Sequence, residues 1–162
     1  MIFGDEPRLA YDRVNLTKYA HRNNFTEIQF KPHQWYDDHK IELFIDEKIT
    51  SVDTEHKQVI SDKGRRLTYS KVIFATGASP FIPNIPGTEL KDVYTYRNCA
   101  DVDEIRYVSR HKKHAVVIGG GLLGIEAADF LKFQGLETHI IEMADFLMPR
   151  QLTPEAAGLL KD

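Results

Sequence analysis

Cysteine is nearly absent. One residue, Cys99, stands in a chain of 162, so no internal disulfide can form and no CxxC pair is present for dithiol redox chemistry. A lone thiol fits a reducing compartment. Long apolar runs are missing too. The longest, from Ala115 to Ile125, is too short and too rich in glycine to span a bilayer. The opening "MIFGDEPRLAYDR" has no basic start leading into an apolar core, so it is not read as a signal peptide. The cytoplasm is the expected location, with no membrane partner. Nor is one sign of charge in excess, since 21 Lys and Arg against 24 Asp and Glu leave a net charge of -3. That balance gives no electrostatic footprint for nucleic acid. The small basic clusters at Arg65-Arg66 and at residues 111–114 sit at turns or loops and read as solvated charge. No metal-ligand set is assigned.

What is present is ordinary globular material, 42% hydrophobic and 28% charged. The length suits one domain, or two very small or incomplete ones. "MIF" reads as the tail of a strand, and "AYDRVNLTKYAHRNN" as a short helix ending at Asn23-Asn24. "KPHQWYDDHK" reads as one or two helical turns with Trp35 as a packing anchor. From Ile41 the period changes to two. "IELFIDEKITSVD", "HKQVIS" and "RRLTYS" predict an antiparallel meander, with Gly64 in a turn. "KVIFATGASP" is continuously apolar up to Thr76-Gly77 and predicts a strand buried on both faces. A helix is expected from about Ala100 to His111.

The most informative stretch is "HAVVIGGGLLGIEAADFLKFQGLETHIIE", residues 114–142. Gly119, Gly121 and Gly124 satisfy G-x-G-x-x-G, with Gly120, Leu122 and Leu123 filling the turn. Gly119 permits the tight strand-to-helix turn, Gly121 has no Cβ to obstruct a pyrophosphate, and Gly124 lets the helix pack close to the strand. The phosphates would meet the free amides and positive dipole end of a helix beginning near Leu122. A glycine triplet alone is a weak signal. Here it follows an apolar strand and opens an amphipathic helix with Ile125, Ala128 and Leu131 on one face. A second strand then ends on Glu142, 18 residues past Gly124. A carboxylate at that strand end can accept both hydroxyls of an adenosine ribose. Met143 and Ala144 stand where an enzyme for the 2′-phosphorylated cofactor would often place arginine, so NAD(H) is the expected nicotinamide.

Four stretches carry a family resemblance: "FGDEPRLAYDRVNLTKY", "IQFKPHQWYDDHKIEL", "KVIFATGASPFIPNIPG" and residues 114–152. They resemble the FAD- and NAD-dependent pyridine nucleotide oxidoreductases. Within these the likeness is to the N-terminal part of NAD(P)H nitrite reductase large subunits, and next to rubredoxin and ferredoxin reductases. The resemblance implies an α/β, Rossmann-like fold with two dinucleotide-binding domains, here incomplete. It divides the chain into a partial FAD-binding domain over 1–110 and the first βαβ of an NAD-binding domain over 111–162. On this likeness the chain is expected to begin at the family's second FAD-domain strand, without that domain's own glycine turn, and to stop before the later strands of the NAD domain.

By the same resemblance, Arg13 and Lys18 match residues beside the FAD pyrophosphate and isoalloxazine. Ile49 matches a position whose backbone meets the adenine, and Thr76 with Gly77 matches a turn against the flavin. Glu126 matches a glutamate near the nicotinamide. The implied chemistry is hydride transfer from NADH to FAD, with electrons passed to nitrite-reducing centres or a small redox protein. The cofactors perform it, so no catalytic acid–base residue is expected. Missing domains, a redox partner or a second copy are the implied partners. The alternative is a non-catalytic remnant that folds and binds NAD or a protein partner. Cys99 reads as structural in either case.

Overall fold

A computed structural model of the chain describes residues 1–160. In chain order its elements are strand β1 (Ile2–Phe3), helices α1 (Leu16–Arg22) and α2 (His33–Asp38), and strands β2 (Leu43–Phe44), β3 (Ile49–Asp53), β4 (Gln58–Ser61) and β5 (Arg66–Thr68). Helix α3 (Cys99–Ser109), strand β6 (His114–Ile118), helix α4 (Leu122–Phe133), strand β7 (Glu137–Ile141) and helix α5 (Pro154–Leu159) follow. These elements form two units, Met1–Asp12 with Gln29–Ser79, and Arg13–Ile28 with the chain from Pro80 onward. Lys161 and Asp162, the end of the segment 111–162, lie outside the described residues.

In the first unit, β1 and β2 pair in parallel, Phe3 opposite Phe44, with the two rings stacked at 4.6 Å. The meander β3-β4-β5 is antiparallel, as its alternation predicts. Val59 pairs with Val52 on one side and Leu67 on the other, and is buried. Its first turn is held by Asp53, whose carboxylate accepts from the amides of Glu55 and His56. Buried Glu47 accepts from Ser61 Oγ at 2.7 Å and from Arg65 Nε at 2.9 Å. A buried carboxylate without such partners would cost several kcal/mol.

Two expectations are corrected here. The stretch from Ile41 is not one strand, since Leu43–Phe44 joins β1 and the meander begins only at Ile49. Residues 71–80, expected as a doubly buried strand, have no regular structure and are exposed throughout, Ile73 to 90%. Apolarity makes a segment eligible for a sheet, but only a neighbouring strand satisfies its amides. No strand of either sheet of this unit pairs with residues 71–80.

In the second unit α3 starts with a reciprocal cap. Asn98 Oδ1 accepts from the Asp101 amide at 2.9 Å, while Asp101 Oδ2 accepts from the Asn98 amide at 3.1 Å. Helix α1 packs against both α3 and α4. The core between them holds Leu16, Tyr19, Cys99, Val102, Ile105 and Phe130, the last fully buried. Burying a phenylalanine contributes roughly 1.5–3 kcal/mol. Arg106 braces the packing, donating to Asp103 and to the carbonyls of Tyr19 and Ala20, where α1 ends. Cys99 is buried and takes part in no disulfide.

Strands β6 and β7 run parallel in register, Val116 beside His139 and Ile118 beside Ile141. Helix α4 covers one face of this pair. Its most buried positions are Ala127 and Phe130, with Ile125, Ala128 and Leu131 half-buried. The helix is packed by the strands on one side and by α1 on another, so its buried surface is broader than a single stripe. It ends in a Schellman turn, where the Leu136 amide donates to Leu131 O and the Gly135 amide to Lys132 O, with Gly135 at φ +89°. No helix among the described residues is long and apolar enough to cross a membrane.

Candidate dinucleotide site

The turn between β6 and α4 is shaped by its glycines, each for a different reason. Gly119 has φ +112° and donates its amide to Ile141 O at 2.8 Å, closing the β6–β7 ladder. Such a φ is costly for any residue with a Cβ. Gly124 sits where a Cβ would be driven into the Gly119 carbonyl, 2.9 Å from its carbon. Helix α4 can approach the strand this closely only with glycine there. Gly121, the N-cap of α4, has an ordinary φ of -79° and no protein atom within 4 Å of a would-be Cβ. Its missing side chain relieves nothing inside the protein and keeps the space before the helix clear. Among the described residues no side chain caps α4. The amides of its first turn, including Leu122 and Leu123, therefore keep their donors and the dipole for an outside group. This is the arrangement that binds a phosphate pair.

Glu142 stands at the end of β7 beside that turn. Its Oε2 accepts from the Gly120 amide at 2.6 Å and its Oε1 from the Ala144 amide at 2.9 Å. The Ala144 amide first, then those of Gly120 and Met143, hold its carboxyl below the usual carboxylate range. Each oxygen keeps a further lone pair, so the group can still accept from ribose hydroxyls. Met143 is fully exposed and Ala144 is half-buried, which leaves no cation next to the carboxylate in sequence.

On the other flank of α4, Glu126 Oε2 accepts from Thr17 Oγ1 at 2.7 Å. Tyr96 donates to the same hydroxyl at 3.5 Å, and burial pushes the Tyr96 phenol upward. One turn on, His21 Nε2 lies 3.1 Å from Asp129 while its Nδ1 meets Thr17 O. Lys18 pairs with Glu27 at 3.1 Å, and Arg13 donates to Arg97 O at 3.3 Å. In the first unit, Ile49 opens β3 half-buried, and Thr76 and Gly77 lie in the exposed segment 71–80, Gly77 at φ +66°. The second unit thus gathers Gly119 to Gly124 and Glu142 at one end of the strand–helix–strand motif, with Glu126 on the flank of α4. Two open concavities beside α3 share Tyr94 and Glu104, and neither is lined by a residue of the turn.

The family described as pyridine nucleotide-disulphide oxidoreductase matches residues 1–162. The chain belongs to that family. Its curated relatives include the NADH nitrite reductase large subunit of Escherichia coli, 40% identical over 93% of this chain and 18% of the relative. The NAD(P)H nitrite reductase of Bacillus subtilis is 41% identical over 99% of this chain and 20% of its own length. Among solved oxidoreductases, a ferredoxin reductase from Rhodopseudomonas palustris superposes with a TM-score of 0.87 at 31% identity. That match covers 99% of this chain and 40% of the reductase. The chain therefore spans about a fifth of these nitrite reductases, and its α/β fold is that of the FAD- and NAD-binding reductases.

Sequence reasoning places Gly120 in the cofactor turn but gives neither its bond to Glu142 nor the Thr17–Glu126 pair. Gly120 was the free position of the motif, yet it is the residue Glu142 grips. The middle glycine of "GGG" was the available signal. Thr17 was passed over, because its partner Glu126 lies 109 residues away and nothing local announces the pairing.

Proposed function

We propose that this chain is the nicotinamide-handling part of a flavin-dependent NAD(P)H oxidoreductase, taking NADH and serving hydride transfer to FAD. The observation that carries the reading is the uncapped α4 behind a cleared Gly121, with the Glu142 carboxylate at the adjacent strand end. The pyrophosphate would lie against the amides of Gly120 to Gly124, and Glu142 would take the ribose hydroxyls. The carboxylate's negative charge would repel a 2′-phosphate, so NADH is favoured over NADPH. Glu126 would face the nicotinamide end. For the flavin, the residues that would hold it are Arg13, Lys18, Ile49, Thr76 and Gly77. Bound FAD would accept the hydride and pass electrons on to nitrite-reducing centres or a small redox protein in the cytoplasm. Residues 1–110 would form the FAD part and 111–162 the start of the NAD part.

Only one G-x-G-x-x-G turn is present in the chain. Exposed charge contacts of the Arg13 and Lys18 kind contribute about 0–1 kcal/mol each, too little to hold FAD tightly. The purified 162-residue chain is therefore expected to be colourless and inactive as an NADH oxidase, while binding NADH. Fluorescence titration with NADH and NADPH tests the nicotinamide reading, which predicts tighter NADH binding. Equal affinity for the two, or no binding of either at millimolar concentration, would remove it. A flavin absorbance band retained through gel filtration at one FAD per chain would overturn the flavin part alone.

A further inference from the structure

Gly120 occupies the position that the G-x-G-x-x-G spacing leaves free, yet the structure gives it no freedom. A Cβ there would lie 2.6 Å from Leu147 Cδ2, 3.1 Å from Glu142 Cβ and 3.2 Å from Glu142 Oε2. Its amide donates to Glu142 Oε2 at 2.6 Å, and its carbonyl accepts from the Met148 amide at 2.8 Å. The neighbouring Gly119 amide donates to Ile141 O at 2.8 Å, and the Ala144 amide to Glu142 Oε1 at 2.9 Å. The Gly119–Gly120 backbone is thus fastened along its length to the segment 141–148.

A carboxylate whose sole task is to meet ribose has no need of an inward bond to the turn. Here the inward bonds are charge-assisted, the stronger class of hydrogen bond. They leave one acceptor direction on each oxygen, so holding the turn and meeting ribose are compatible. We propose that Glu142 is a positioning residue for the pyrophosphate turn as well as a ribose ligand, tying Gly120 to segment 143–148 and fixing the shape of the turn. The proposal rests on the nicotinamide reading given above. It carries a consequence that cofactor selection by charge does not. Removing a merely selective carboxylate weakens NADH and relieves NADPH. Removing a latch weakens both, because both present the same pyrophosphate to the same amides.

Glu142→Gln in the 162-residue chain separates these cases. The Gln side chain keeps the shape of Glu but turns one acceptor into a donor, so one of the two backbone bonds is lost. The affinities for NADH and NADPH are both expected to fall about tenfold or more, as for loss of a hydrogen bond to a charged group. Loss confined to NADH, with NADPH binding unchanged or tightened, would overturn the proposal. A second readout needs neither a nucleotide nor a variant. On acid titration of the wild-type chain, the Gly120 and Ala144 amide resonances are expected to move together, with one midpoint below the ordinary carboxylate value. A Gly120 amide that does not follow such a titration would also overturn the latch. Should the wild-type chain bind neither nucleotide, the nicotinamide reading fails and the amide titration alone decides the latch. It also decides should Glu142→Gln not fold.

Discussion

Thr17 Oγ1 donates to Glu126 Oε2 at 2.7 Å, joining two residues 109 apart in sequence and tying α1 to the flank of α4. With His21 against Asp129 one turn further on, it makes the α1–α4 contact polar as well as apolar. Thr17→Val keeps the shape and removes the donor. It should lower the urea unfolding free energy by about 1 kcal/mol, the ordinary net value of such a bond. Thr17→Ser should retain most of that stability. Equal stability of the Val and wild-type chains would show that the bond contributes nothing.

Gly124→Ala puts a Cβ into the Gly119 carbonyl, so α4 must move off the strand. Overpacking of this kind costs about 1–3 kcal/mol. The same shift moves the helix amides that face the turn, so NADH binding should weaken along with stability. Chemical denaturation and NADH titration of this variant check the pair. Wild-type values for both would contradict the close packing.

Glu47 gives the first unit a pH dependence. Its carboxyl is held below the usual range, first by the Ser61 hydroxyl and then by Arg65. A folded-state pKa lower than the unfolded one supplies stability above the unfolded value, about 4.3, and loses it as pH falls through the folded value. Ser61→Ala removes the larger cause, so the midpoint of acid unfolding, followed by circular dichroism, should move to higher pH. An unmoved midpoint would count against Glu47 as a source of acid sensitivity.

Val116, Ile118 and Ile141 share a face of the β6–β7 pair and are each more than half exposed. Parallel sheets are usually covered on both faces, and an uncovered apolar strand pair is prone to association. Sedimentation should show a concentration-dependent rise in mass, reduced by Ile118→Lys. A monomer at all concentrations would contradict this.

The motif of residues 114–142 was legible because its signals are local. The spacing of Gly119 and Gly124 reflects local backbone constraints, and the structure gives Gly119 a φ of +112° and sets a Cβ at Gly124 against the Gly119 carbonyl. The meander was legible for the same reason, through alternation around Val59. Residues 71–80 were misread because burial depends on which strands lie alongside, and apolarity in "KVIF" says nothing of that. The division of the Ile41 stretch between two sheets also depends on pairing, with β1 in one case and β4 in the other. The Gly120–Glu142 and Thr17–Glu126 pairings were not legible because the partners are 22 and 109 residues apart.

The most direct measurement of the central claim is a titration of the isotope-labelled chain with NADH, followed amide by amide. The account predicts the largest shifts at Gly119 to Gly124 and around Glu142, with NADPH producing the same pattern only at higher concentration. Shifts confined to other parts of the chain, or none at millimolar NADH, would contradict it.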